Sequence, residues 1–217
     1  MYHGGLCFIT DRKSCKPRPC AQGRGKLSCE EMALKVLRTG VRWVQYREKE
    51  RSRREIYEES VRLRRLTADF NAVFIVNDHA DIALAVDADG VHLGQDDLPL
   101  KEARKIMGRD KIIGISTHSL EQAIEAERDG ADYIGFGPVF HTTTKDAGMP
   151  KGIDMLQDIK RQLHIPIVAI GGINLENIRL VLDTGVDAVA VASAILKGDI
   201  VENSRRFIDI IRSPILN

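Results

Sequence analysis

KIIGISTHSLEQAIEAERDGADYIGFG, residues 111–137, contains one complete structural unit. KIIGI and YIGFG are short, nearly continuous apolar runs, the pattern of parallel strands covered by helices. LEQAIEAERDG between them places apolar residues three or four apart, the period of a helix with one buried face. Strand, helix and strand in that order define a βαβ step.

The same step recurs in both directions along the chain. Strand candidates are LCFIT (6–10), VRWVQY (41–46), AVFIV (72–76), GVHL (90–93), KIIGI (111–115), YIGFG (133–137), PIVAI (166–170) and AVAVA (188–192). Helical patterns such as EEMALKVLRT, LKEARKIMG, IDMLQDIKRQL and LENIRLVLDTG separate most of them. Eight alternations predict a closed (β/α)8 TIM barrel, an α/β fold, built as a single domain over residues 1–217. A sandwich would show more period-two alternation and fewer helical intervals. An open doubly wound sheet is the nearer competitor, but IGGIN is not the spaced dinucleotide glycine fingerprint, and no early strand leads into one. Two segments depart from the regular plan: a long basic first βα loop at 11–27, and HTTTKDAGMPKG after the sixth strand. Either could cover a ligand.

Charge narrows the function. With 32 basic and 31 acidic side chains among 217 residues the net charge is +1, so no general affinity for nucleic acid or another polyanion follows. RSRR at 51–54 opens a segment of alternating signs that fits an exposed helix face. No apolar run is long enough for a membrane span, and MYHGGLCFITDRK lacks the stretch a secretory signal needs, which makes the cytoplasm the expected compartment. Cys7, Cys15, Cys20 and Cys29 do not have the spacing of paired CxxC knuckles and are expected as free thiols rather than a zinc site or disulfide.

In a barrel the chemistry belongs at the C-terminal ends of the strands. Gln45, Arg47 and Lys49 alternate after strand two, which in an extended segment puts an amide, a guanidinium and an ammonium on one face, a set suited to a diphosphate. Asp78 follows strand three, and Asp96 and Asp97 follow strand four. Asp78 with one of that pair offers the oxygen ligands Mg²⁺ prefers, although Asp97 could instead cap the helix LPLKEAR. Ser116 after strand five is a hydrogen-bond donor, while His118 is expected to serve locally. Gly171, Gly172, Ala192 and Ser193 after the last two strands are small enough for a phosphate to approach the backbone; the alternative for the glycines is a tight helix start with no ligand.

QYREK (45–49), VNDHADIALAVDADGVHLGQDD (76–97), GISTHS (114–119), GADYIGFGPVFHTTTK (130–145), PIVAIGGI (166–173) and VAVASAI (189–195) together resemble the thiamine phosphate synthase family, over residues 6 to about 196. The resemblance implies a Mg²⁺-dependent transferase, commonly dimeric, that joins hydroxymethylpyrimidine diphosphate to hydroxyethylthiazole phosphate. Carried onto this chain, it implies Gln45 and His92 in the pyrimidine pocket, with Ser116 near the pyrimidine and the departing diphosphate. It implies diphosphate contacts from Arg47, Lys49, Asn77 and Lys145, and metal ligation by Asp78 and Asp97. Thr142, Thr144, Gly172, Ala192 and Ser193 are the implied thiazole phosphate site. Lys49, Ser116 and Lys145 are the implied catalytic groups, acting as the diphosphate leaves a pyrimidine methylene that the thiazole nitrogen then attacks.

Two residues differ from the family's usual wording: His141 stands where proline is expected, and Cys7 where tyrosine is common. A thiazole tautomerase of the same superfamily is the nearest rival, but it is expected to carry a catalytic histidine where this chain has Pro138. A non-catalytic sensor of thiamine-related phosphates is the alternative from another class.

Overall fold

The computed structural model describes residues 5–13, 27–142 and 148–213. Eight parallel strands close in sequence order: β1 (Gly5–Ile9), β2 (Trp43–Tyr46), β3 (Val73–Asn77), β4 (Gly90–Leu93), β5 (Ile112–Thr117), β6 (Tyr133–Phe136), β7 (Ile167–Ile170) and β8 (Ala188–Val191). β8 pairs back onto β1, with Leu6 opposite Val189 and Phe8 opposite Val191. The fold is the (β/α)8 barrel.

The larger helices are α1 (Cys29–Leu37), α2 (Arg53–Asp69), α4 (Leu100–Met107), α5 (Leu120–Arg128), α6 (Gly152–Gln162) and α9 (Ile200–Arg212). Shorter pieces are α3 (Ala80–Ala85), α7 (Ile178–Leu182) and α8 (Ser193–Leu196). Local signals set several of their starts. Ser28 and Ser52 each form a capping box with the glutamate three residues on, Glu31 and Glu55, satisfying amides that a helix's first turn leaves open. Ser119 caps α5 through the amide of Gln122.

LENIRLVLDTG contains a shorter helix than its periodicity predicts. The side-chain oxygen of Asn174 accepts from the amides of Glu176 and Asn177, and Asn177 returns a bond to the Asn174 amide, so these residues are spent on a turn. Nor does Asp97 cap α4: Pro99 occupies the cap position and makes no side-chain bond.

Strand alternation sorts side chains into two cores. Leu6, Phe8, Val44, Phe74, Val76, Val91, Ile113, Phe136 and Val189 face the helices in the main apolar layer. Cys7, Ile9, Trp43, Ile75, Tyr133, Val168, Ala188 and Ala190 fill the barrel itself. Each fully buried large apolar side chain contributes about 2 kcal/mol relative to exposure. Glycine makes the interior fit: a Cβ on Gly114 would fall 2.1 Å from Cζ of Tyr133, so the ring takes space that a side chain on β5 would need.

Candidate active site

The inward residues near the C-terminal strand ends are polar where those below are apolar. Gln45 on β2 and Asn77 on β3 meet, with Gln45 Nε2 donating to Asn77 Oδ1 at 2.9 Å. Asn77 Nδ2 donates in turn to Asp78 Oδ1 at 2.5 Å, and Lys49 Nζ pairs with the other Asp78 oxygen. Asp78 sits at φ 67°, a left-handed conformation that aspartate tolerates better than most residues, and its amide donates to the His92 carbonyl at 2.8 Å. Residues from three neighbouring strand ends thus form one wall.

On the next strands, His92 links Tyr133 below it to Ser116 beside it, with both ring nitrogens at 2.9 Å from the partner hydroxyls. Burial pushes the Tyr133 hydroxyl well above the usual phenol range and keeps it protonated. Gly135 leaves the imidazole room, since a Cβ there would lie 2.9 Å from His92 Cε1. His118 Nδ1 donates to the Gly137 carbonyl at 2.6 Å, the local role expected of it, although its ring also lines the cleft.

Asp97, not Asp96, faces Asp78. Asp96 is exposed, whereas Asp97 is partly buried, accepts the Gly94 amide at 2.6 Å and lies within hydrogen-bonding reach of the Asp78 carboxyl. Burial, followed by the Asp78 charge, raises its carboxyl above the usual range. Two carboxylates held against each other are a donor set that a cation relieves. No cluster of three or more His, Cys, Asp or Glu suited to a metal occurs among the described residues. The pair fits Mg²⁺, which takes one or two carboxylates and fills its other positions with water and substrate oxygens.

Opposite this wall lies a glycine and hydroxyl turn. Thr142, Gly172, Ala192 and Ser193 line one open cleft together with Thr10, Arg47, Ser116 and His118. Gly171 and Gly172 have φ of 98° and 67°, and a Cβ on Gly172 would meet the His141 carbonyl oxygen at 2.5 Å. The glycines therefore let the chain after β7 lie flat against Pro138–His141, which brings Thr142 to the cleft. The exposed His141 contributes its backbone here. Thr144 and Lys145 lie outside the described residues, as do Cys15 and Cys20 and most of the first loop; Cys7 and Cys29 are buried free thiols.

Sequence reading passed over Thr10, whose hydroxyl accepts the Arg47 amide at 3.0 Å, and Tyr133, which supports His92. Thr10 ends the strand candidate LCFIT, a position that could have marked it. Tyr133 had no local signal, because its partner is 41 residues away.

A closed parallel barrel with an amide, cation and carboxylate wall facing a glycine and hydroxyl turn is built as a (β/α)8 enzyme of small-molecule chemistry. A family model described as thiamine monophosphate synthase matches residues 6–195, and the chain belongs to that family. A thiamine-phosphate synthase of Clostridium acetobutylicum is 44% identical over 208 residues, covering 95% of this chain and 94% of that protein. One from Chloroflexus aurantiacus is 52% identical over 168 residues, covering 77% of each. The solved thiamine phosphate pyrophosphorylase of Pyrococcus furiosus superposes with a TM-score of 0.83 at 41% identity, over 95% of both chains.

Proposed function

We infer that this chain is a thiamine-phosphate synthase, condensing hydroxymethylpyrimidine diphosphate with hydroxyethylthiazole phosphate to give thiamine phosphate and diphosphate. Its similarity to synthases over nearly their whole length supports the reaction. The observation that carries the assignment of roles is one cleft lined by Arg47, Ser116, Thr142, Gly172 and Ser193, with the Lys49–Asp78 pair at the neighbouring strand ends.

In this reading Gln45 and His92 orient the pyrimidine, while Arg47, Lys49, Asn77 and Lys145 hold the diphosphate. Ser116, kept in place by His92, donates toward the pyrimidine and its leaving group. Thr142, Thr144, Gly172, Ala192 and Ser193 receive the thiazole phosphate through hydroxyls and backbone amides. Asp78 and Asp97 would hold Mg²⁺, which supplies charge neutralisation at the diphosphate when bound.

The methylene–oxygen bond breaks with its electron pair leaving on the diphosphate, and the thiazole nitrogen lone pair forms the new carbon–nitrogen bond. Fixed positive charge favours the first event because it is strongest where negative charge develops. Holding both substrates in one cleft favours the second, since the two anions otherwise repel and the reacting atoms must meet in line. No covalent enzyme nucleophile is required. Lys49, Ser116 and Lys145 are the catalytic residues.

We also take the enzyme to be a homodimer working in the cytoplasm. Exposed Leu84, Leu98, Ile106 and Ile124, on or beside α3–α5, support association, and free buried Cys7 and Cys29 suit a reducing compartment.

Thiamine phosphate and diphosphate should form in equal amounts from the two purified substrates, and a chelator should abolish both. A folded chain that bound the thiazole phosphate and released neither product with any divalent metal would end this assignment. Thiazole isomerisation would then be the activity to assay.

A further inference from the structure

Glu59 on α2 is only 2% exposed, yet it lies on the helix side of β2, away from the cleft. Its two oxygens are divided between partners. Tyr46 donates its hydroxyl to Oε2 at 2.7 Å, and Arg12 pairs with Oε1. Arg12 Nε also lies 3.1 Å from Glu48 Oε2, at ion-pair distance but out of line for a hydrogen bond. The second oxygen of Glu48 accepts the backbone amides of Lys49 at 2.8 Å and Glu50 at 2.9 Å. A continuous line of contacts therefore runs from Glu59 through Arg12 and Glu48 to the backbone at Lys49.

The line begins where the sheet ends. β2 stops at Tyr46, so ladder hydrogen bonds do not hold the next three residues extended. Thr10 accepts the Arg47 amide at 3.0 Å, and Glu48 holds the amides beyond it. In an extended run, alternate residues share a face. Tyr46 and Glu48 engage the buried network, while Gln45, Arg47 and Lys49 occupy the other alternate positions. Apolar residues of similar size would fill this space without removing charges from water, a replacement that commonly costs nothing in stability. What such residues would not supply is a directional link to the Lys49 amide.

We propose that Glu59 is a positioning residue for the cationic strand end, acting through Arg12 and Glu48 to set Arg47 and Lys49 and thereby the cleft's affinity for a diphosphate group. This rests on the reading of that wall as the diphosphate side. Glu59→Gln keeps an acceptor for Tyr46 and removes the charge that fixes Arg12. Arg12→Gln breaks the same line at a side chain that is 26% exposed, and so tests it with less disturbance of the core.

The experiment measures binding of inorganic diphosphate with Mg²⁺ by calorimetry, KM for each substrate and the thermal midpoint, for the full chain and both variants. We expect either variant to weaken diphosphate binding by about tenfold and to raise KM for the pyrimidine diphosphate, with KM for the thiazole phosphate within about twofold. A merely structural role would lower the midpoint and leave both constants unchanged in the folded fraction. Folded variants that bind diphosphate as the unchanged chain does, or that lose both substrates equally, would overturn the proposal. If the unchanged chain binds diphosphate but forms no thiamine phosphate, the assigned reaction fails, while the variant comparison still decides the role of Glu59.

Discussion

The Gln45 side chain donates to that of Asn77 at 2.9 Å across the β2–β3 boundary, and this bond orients both amides. Asn77 then presents its own nitrogen to Asp78, whose second oxygen meets Lys49. Two amides, a carboxylate and an ammonium are thereby coupled within a few side chains.

Lys49 is the cation of that chain. Lys49→Ala should reduce kcat about 100-fold, the scale of losing one group that stabilises developing charge, and leave KM for the thiazole phosphate nearly unchanged. Single-turnover product formation with saturating substrates is the measurement. A fall in thiazole affinity of the same size would place Lys49 elsewhere in the reaction.

Burial and then the Asp78 charge raise the Asp97 carboxyl, a strain that a bound cation would relieve. Mg²⁺ should raise the thermal midpoint of the unchanged chain, because a ligand that binds only the folded state stabilises it. In Asp97→Asn the metal-free midpoint should rise at neutral pH and the response to Mg²⁺ should largely disappear. A variant that responds to Mg²⁺ like the parent would remove Asp97 from the ligand set.

Gly172 combines φ 67° with a backbone oxygen 2.5 Å from where a Cβ would stand. Gly172→Ala should cost about 1–2 kcal/mol from the left-handed backbone alone, with displacement of the His141–Thr142 segment in addition. The enzymatic consequence should be a raised KM for the thiazole phosphate, with diphosphate binding retained. Steady-state assays varying each substrate in turn separate the two.

At the start of α2, the Ser52 hydroxyl and amide hold the Glu55 carboxyl below its usual range. A depressed folded value means that the charged carboxylate is favoured by folding. Its contribution is present above the ordinary carboxylate pKa of 4.5 and is lost as pH falls through the lower folded value. Glu55→Gln should therefore be less stable than the parent at neutral pH, with the gap closing in strong acid. Urea unfolding at a series of pH values measures this.

Much of this molecule was legible without coordinates because its signals are local. Apolar runs at strand length and helical spacing between them act over a few residues, so eight strands and their order could be read directly. Gln45, Arg47 and Lys49 were identifiable for the same reason, since alternation along an extended segment is a property of the backbone. Signals failed where a short polar side chain competed with helical periodicity: Asn174 and Asn177 take the backbone bonds that LENIRLVLDTG would otherwise use. The choice between Asp96 and Asp97 could not be made from adjacency, because it depends on which carboxyl turns toward a different strand end.

Period and motif order are written along the chain, and they were enough for the alternating fold, the family and the candidate groups at the strand ends. Tertiary structure alone decided that Tyr133 supports His92 from 41 residues away and that Arg12 meets Glu59 across 47. Barrel closure brings such residues together: once β8 pairs with β1, inward and outward faces acquire fixed neighbours that no local pattern specifies.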